Sequence, residues 1–324
     1  MKPWWIDAAR GYLSGRYDKR PERRGIRVLC YHGLVERITD PLLERNFHLL
    51  SNFRSHVRFL RRFRILPLAG LAEELSNPKP QRKPLALITF DDGYANNHLA
   101  WEILNAARLP WTLFVSTGAL AREKLIWTVE LSLLLLHGRA ESIVSLNQAW
   151  SLKSREGRVS AFKAIRSPLK LMGADARREA MDNIRQQFPE GESQRLIHQF
   201  PSFRMFTWQE IKGLANAGVA IGSHGVDHEI HHAAQTESVR RRELTQSKAE
   251  IEENLGRPCN AFAYPNGDFN PASADDLNAC DYELAFALNN DLITPGANPF
   301  LLPRLHTPAS LEKLSRIFFY GPQH

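Results

Sequence analysis

The chain is poor in cysteine, has no long apolar run, and contains no repeat or low-complexity tract. Its 324 residues include 3 cysteines. Cys30, Cys259 and Cys280 are odd in number and lack any CxxC spacing, which argues against a disulfide framework or a cysteine-metal site and for a reducing compartment. The longest greasy stretch, around Leu131 to Leu136, is far too short to span a bilayer. Met1-Lys2-Pro3-Trp4-Trp5 leads into charged residues rather than an apolar core, so no secretory signal is read there. The expectation is a cytoplasmic protein, soluble or peripheral to the inner face of the cytoplasmic membrane.

With 43% apolar residues the chain can bury one sizeable core. The net charge of +7 is uneven: residues 1–30 hold eight Lys/Arg against three Asp/Glu. Trp4, Trp5, Ile6, Tyr12 and Leu13 alternate there with Lys2, Arg10, Arg16, Lys19, Arg20, Arg23 and Arg24. Residues 1–26 therefore read as a basic amphipathic segment suited to an anionic membrane surface, with a solvated tail as the equal alternative. No recognised module or aromatic-basic groove accompanies the charge, so a nucleic-acid partner is not expected.

Strand-like runs alternate with helical ones. Residues 27–32, 85–90, 111–116, 219–223, 260–264, 282–288 and 300–306 read as strands, and 42–63, 95–107, 208–217, 236–255, 271–279 and 309–318 as helices. Thr207-Trp208-Gln209-Glu210 is a capping box, Asn270-Pro271 a helix start, and Gly218 and Gly256 are helix stops. The alternation predicts an α/β fold, a (β/α) barrel that is irregular or seven-stranded, over residues 27–324. Residues 119–206 break the rhythm and read as a helical insertion, either a lid or acceptor surface or packing filler. Phe47, Leu50, Phe53, Val57 and Leu60 have core spacing, with Arg54, Arg58, Arg61, Arg62 and Arg64 on the solvated face.

Polar groups gather at the ends of these strands. Leu87-Ile88-Thr89-Phe90 empties into Asp91-Asp92-Gly93. Neighbours on a strand point to opposite sides, so adjacent acids seldom share a task; one can bind a metal while the other handles a proton. Val219-Ala220-Ile221-Gly222-Ser223 ends in His224, with His228 four residues on. Two such imidazoles and a distant carboxylate make an open three-ligand site. His231 and His232 follow closely and blur that assignment. Ala261-Phe262-Ala263-Tyr264-Pro265-Asn266-Gly267, Arg27-Val28-Leu29-Cys30-Tyr31-His32-Gly33 and Phe300-Leu301-Leu302-Pro303-Arg304-Leu305-His306 have the same form, and α/β barrels gather their chemistry at this edge.

Together these residues resemble the polysaccharide deacetylases of the NodB-homology type, carbohydrate esterase family 4. Thr89-Phe90-Asp91-Asp92-Gly93 matches the first motif, Ser223-His224 through His228 the second, and Phe262-Ala263-Tyr264-Pro265-Asn266-Gly267 the Tyr-Pro-x-Gly form of the third. Tyr31-His32 and Pro303-Arg304-Leu305 are similar to a branch common in surface-glycan biosynthesis. The match covers about residues 27–118 and 207–306. The resemblance implies a hydrolase that removes acetyl groups from N-acetylated sugars of a surface polysaccharide or its lipid-linked precursor. The alternatives are a deformylase or deacetylase of a lipid-linked aminosugar, and a glycan-binding protein with a degenerate site.

Residue by residue, it implies Asp91 as general base, and Asp92, His224 and His228 as ligands of a divalent metal, zinc first, with cobalt, nickel or manganese as substitutes. Tyr94, Tyr264, Pro265 and Asn266 are the expected substrate contacts. Two positions depart from the family. Gly225 stands where Ser or Thr is usual, which removes a hydrogen bond that steadies the loop. Ala263 replaces the arginine that orients the base, and Arg304 is the candidate to supply its charge. For the general acid, His32 is preferred over His306.

Overall fold

The computed structural model describes residues 25–78, 83–122 and 124–321. The basic segment 1–26 lies, but for its last two residues, outside the described residues. Seven parallel strands carry the motifs: β1 (Arg27–Tyr31), β2 (Leu85–Phe90), β3 (Thr112–Val115), β4 (Ala220–Ser223), β5 (Ala261–Ala263), β6 (Leu284–Phe286) and β7 (Leu305–His306). Their spatial order is β6-β5-β4-β3-β2-β1-β7. The last segment draws the two edges together. Leu305 and His306 pair with Leu29 and Cys30 of β1, while Leu302 exchanges backbone hydrogen bonds of 2.9 Å with Ala285 and Ala287 at β6. Pro303 has no N–H to continue a ladder, so the strand expected over 300–306 becomes a bridge at Leu302 and a two-residue strand. The result is the (β/α) barrel, irregular where it closes.

The period of two along each strand divides the apolar residues into two clusters. Val28, Leu85, Leu87, Phe114, Ala263, Phe286 and Leu302 form the smaller one, inside the barrel. Their neighbours Leu29, Tyr31, Ile88, Phe90, Leu113, Val115 and Phe262 face the surrounding helices in the larger one. Leu85, Leu87 and Thr89 point inward, and the next residue in that phase is Asp91. The strand's own pleat therefore aims one carboxylate into the barrel mouth.

The helices around the barrel are α1 (Leu50–Leu60), α2 (Leu68–Ser76), α3 (His98–Ala107) and, after the insertion, those over Trp208–Asn216, Glu237–Leu255, Ser273–Ala279 and Leu311–Tyr320, and all but α2 lie in the expected stretches. The Phe47 to Leu60 stripe is buried and its arginine face is exposed. Thr207 and Glu210 make the reciprocal capping box. Two helix starts differ from expectation for reasons visible in the hydrogen bonds. Helix α1 starts at Leu50 rather than 42, because the Asp40 carboxylate accepts the Leu42 N–H (2.9 Å) and Glu44 accepts that of Asp40 (3.1 Å), holding a turn. The Ser273 helix starts two residues after Pro271, since Asn270 Oδ1 takes the Ala272 N–H at 2.9 Å. Helix α2 was not foreseen.

The insertion consists of α4 (Thr117–Arg122), α5 (Trp127–His137), a hairpin of Ser142–Ser145 and Gln148–Ser151, α6 (Arg155–Leu171), α7 (Ala174–Arg185) and α8 (Glu192–Gln199). The hairpin corrects the purely helical reading. Leu146 and Asn147 both take positive φ (56° and 58°), as a tight two-residue hairpin turn demands, but without the Asn-Gly signature that would have announced it. The Leu-rich α5 is buried on nearly every side, because α6, α7 and α8 pack around it. Asp40, beside the barrel, fastens this layer by accepting from His137 Nε2 (2.8 Å) and Arg155 (2.9 Å).

Candidate active site

The ends of β1, β2, β4 and β5 converge on one cavity, lined among others by His32, Asp91, Asp92, Tyr94, His224, His228 and Asn266. Asp91 is buried, and both its oxygens accept from the Arg304 guanidinium, at 2.6 and 2.7 Å. Burial pushes the Asp91 carboxyl up, but the charges of Arg304 and His224 outweigh it and hold the group at about 2. Arg304 reaches Asp91 from beside the closing strand, its guanidinium over the Phe114 ring (5.6 Å).

Asp92 breaks the strand phase. Its φ of 76°, followed by 95° at Gly93, swings its carboxylate away from Asp91 and toward β4. There Asp92 Oδ1 lies 3.4 Å from His224 Nε2 and 3.4 Å from His228 Nε2. The three ligand atoms lie within 4.8 Å of one another, yet Asp92 Oδ1 is buried without a hydrogen-bond partner. His224 Nδ1 is tied to the Ala263 carbonyl at 2.7 Å, which fixes the tautomer and leaves Nε2 with its lone pair aimed at the group. An orphaned carboxylate oxygen and two converging imidazole nitrogens fit a divalent cation. Cys30, His32 and Asp91 also cluster within 4.8 Å, but a cation there would sit against the guanidinium that already holds both Asp91 oxygens.

His231 and His232 stand apart. His231 is buried against Phe262 (5.3 Å) and Tyr264 (5.7 Å), and its imidazole is pushed down to about 3 by burial. His232 Nε2 contacts the Met172 carbonyl.

The missing hydrogen bond at Gly225 has a replacement that sequence reading did not find. The buried Glu243 carboxylate, on the helix Glu237–Leu255, accepts the N–H groups of Val226 (2.9 Å) and Asp227 (3.0 Å), with Glu229 at 3.4 Å. Gly225 has φ of 80°, and a Cβ there would stand 2.6 Å from Glu243 Oε2, so the carboxylate takes the space of the usual side chain. Thr117 and Gly118 of α4 donate to Gly225 and Val226 carbonyls, and Trp127 Nε1 to that of His228 (3.2 Å). The insertion thereby grips the loop that carries His228. Replacing Glu243 by Ala leaves these N–H groups buried and unpaired. The expected loss is about 2–4 kcal/mol of stability and 10–100-fold in metal affinity, read by denaturant unfolding and by metal titration.

Of the expected substrate contacts, Tyr94 and Asn266 line the cavity. Tyr264 does not: it is buried, with its hydroxyl donating to the Phe300 carbonyl at 3.0 Å. Pro265 is buried as well and is not among the lining residues. His32 lines the cavity and its backbone carbonyl is held by Asn97 Nδ2 at 2.6 Å. His306 is exposed and outside the lining. The insertion adds groups no motif announced: Phe162, Arg166 and Lys170 from α6, and Thr128, Val129 and Ser132 from α5, face Arg45 across the opening.

Comparison with known proteins decides the family. The polysaccharide deacetylase family model matches residues 78–285. The chain belongs to the polysaccharide deacetylase family. It is therefore a hydrolase of the carbohydrate-deacetylase class, of the NodB type that the three motifs resemble. Arg304 and His32 lie outside the matched span. A search of curated proteins found no match. Among solved structures, the chain is similar to a Streptococcus pyogenes deacetylase, PplD, in complex with acetate (16% identity, 90% of this chain and 96% of that one, TM-score 0.59). It is also similar to IcaB from Ammonifex degensii (18%, 91% and 97%, TM-score 0.59) and to the BpsB deacetylase domain from Bordetella bronchiseptica (14%, 88% and 97%, TM-score 0.52). At these identities the likeness is one of fold. Among the described residues, no helix is long and apolar enough to cross a membrane.

Proposed function

We propose that this deacetylase is a metal-dependent N-deacetylase acting on N-acetylated sugars of a surface polysaccharide or its lipid-linked precursor. The observation that carries the reading is the pairing of a guanidinium-held carboxylate, Asp91, with the orphaned Asp92–His224–His228 group in one cavity. A divalent cation held by Asp92, His224 and His228 supplies Lewis acidity, acidifying water and polarising a carbonyl oxygen. Asp91, kept ionised and fixed in direction by Arg304, takes the proton of the attacking water. The Asn266 N–H is the donor left for the developing oxyanion, because Pro265 has none and that of Gly267 donates to the Tyr264 carbonyl at 2.9 Å. His32, across the mouth, gives a proton to the departing nitrogen. Water and amide become acetate and a free amine.

A glycan-binding protein with a relic site was suggested by the two departures, Gly225 and Ala263. Glu243 and Arg304 fill both gaps, which favours catalysis. Purified protein loaded with zinc should release acetate from N-acetylhexosamine oligomers, lose this with a chelator, and regain it on re-addition of metal. Failure to release acetate from oligomers or from a lipid-linked sugar, with metal bound at one equivalent, would sink the reading.

A further inference from the structure

The cavity wall supplied by the insertion carries a charge that the deacetylation reading does not use. Arg166 and Lys170 follow Phe162 at four-residue steps on α6, so all three share one helix face, and Arg45 lines the same opening from the turn before α1. Several other arginines of the insertion pair with a carboxylate, Arg155 with Asp40 (2.9 Å), Arg185 with Glu130 (2.9 Å), Arg195 with Glu192 (2.7 Å) and Arg177 with Glu229, while Arg158 donates to the Leu135 and Ala140 carbonyls away from the cavity lining. Among the described residues, Arg45 and Arg166 have no carboxylate partner, and Arg166 only leans over its own Phe162 ring (5.8 Å). Lys170 Nζ donates to a neutral acceptor, Asn266 Oδ1. Asp268, whose charge acts on Lys170, accepts from Asn266 Nδ2.

Arg45 and Lys170 line the same opening, and burial, followed by the charge of Arg45, pushes the Lys170 ammonium down to about 8 against the opposing pull of Asp268 and Asp92. The carboxylates in the lining are Asp91, taken by Arg304, and Asp92, which belongs to the metal group. Three like charges around one opening repel, and they persist where a ligand brings the counter-charge. Arginine forks suit a phosphate, which offers several acceptor oxygens at once. Leu42, Leu43 and Val129 beside them suit hydrocarbon.

We propose that Arg45, Arg166 and Lys170 form an anionic subsite next to the metal group, and that the N-acylated sugar this enzyme takes carries a phosphate. The inference rests on the N-deacetylase reading for its chemistry, but not for its binding. The phosphate belongs either to a soluble sugar phosphate or to the phosphodiester of a lipid-linked sugar.

The test compares zinc-loaded full-length protein on three probes: a neutral N-acetylglucosamine oligomer, N-acetylglucosamine 1-phosphate, and the farnesyl phosphodiester of that sugar. A phosphorylated probe should exceed the neutral one in kcat/KM by about tenfold or more. Arg166→Gln and Arg45→Gln should each reduce that ratio by about tenfold, with Arg166→Lys restoring part of it; the ratio is insensitive to loss of folded protein. Preference for the farnesyl ester assigns the phosphate to a lipid carrier, and preference for the free sugar phosphate to a soluble substrate; either supports the subsite. A ratio near one, or one that the arginine variants leave unchanged, overturns it. A uronic-acid oligomer that outpaces both phosphorylated probes also overturns the phosphate assignment. If no probe is deacetylated, the reaction reading fails by itself, and calorimetry still decides the subsite. N-Acetylglucosamine 1-phosphate should then bind more tightly than N-acetylglucosamine, and Arg166→Gln should erase the difference; equal binding overturns the proposal.

Discussion

Replacing Arg304 by Met is expected to destabilise the protein by on the order of 3–5 kcal/mol and to reduce kcat/KM at least ~10²-fold. Arg304 and Asp91 are both buried, and the side chains meet through two short hydrogen bonds. Removing the guanidinium strands a carboxylate in the barrel mouth. The sign of the pH effect follows from the balance at Asp91. Burial raises its pKa, and Arg304 with His224 brings it down to about 2. A carboxylate depressed in the folded state stabilises above its unfolded value, about 3.9, and that contribution is lost as pH falls toward 2. Without Arg304 the burial effect dominates, the carboxyl protonates at higher pH, and the acid limb of kcat/KM shifts upward. Arg304→Lys keeps the charge but not the fork, so it should hold the acid limb low while losing rate through poorer orientation. Urea unfolding and pH–rate profiles of the two variants check this. An Arg304→Met enzyme with wild-type stability and an unmoved acid limb would show that Asp91 does not depend on this pair.

What could be read before the structure was whatever lay within one strand and its following turn. The apolar run into Asp91-Asp92-Gly93 already placed two carboxylates at a barrel mouth, and the pleat of β2 explains why only the first points inward. His224 and His228 were legible as a pair because they share one turn. The ambiguity with His231 and His232 needed three dimensions, since only the rings of Phe262 and Tyr264 reveal that His231 is packing. Arg304 lies 213 residues from Asp91, and no local pattern connects them; it was a candidate only through the departure at Ala263 and the resemblance at Pro303-Arg304-Leu305. Glu243 was hidden for the same reason, although Gly225 marked its place. Phe162, Arg166 and Lys170 were not singled out in the sequence, because a helix in an insertion has no sequence signal for which way its face turns. Tyr264 was overread: a tyrosine beside a motif at a strand end can as well bury its ring and give its hydroxyl to a backbone carbonyl.

The assignment of the acid carries the other large effect. His32 is expected to be the proton donor, so His32→Ala should retain metal and lose kcat by roughly 10²–10⁴-fold, the contribution of a positioned acid, while His306→Ala should cost much less. A His32 ring nitrogen lies within 4.8 Å of an Asp91 oxygen, and the side chain lines the cavity that holds Asp92, His224 and His228. It reaches that position because β1 pairs with β2 in a register that sets Tyr31 opposite Phe90, so the next residue on each strand, His32 and Asp91, leaves the barrel at the same level. His306 is on a neighbouring strand, but it pairs with Cys30, two residues below His32, and its side chain is exposed. Its backbone N–H is spent on Asn290 Oδ1 at 2.8 Å, which holds the segment at the barrel's edge. Both variants should be compared on an N-acetylated amide and on an acetate ester of the same sugar. An ester leaves as an alkoxide far less dependent on protonation than an amine, so loss of the acid should hurt the amide more. A His32→Ala enzyme that loses both equally, or a larger amide-specific loss in His306→Ala, would move the acid to the last strand.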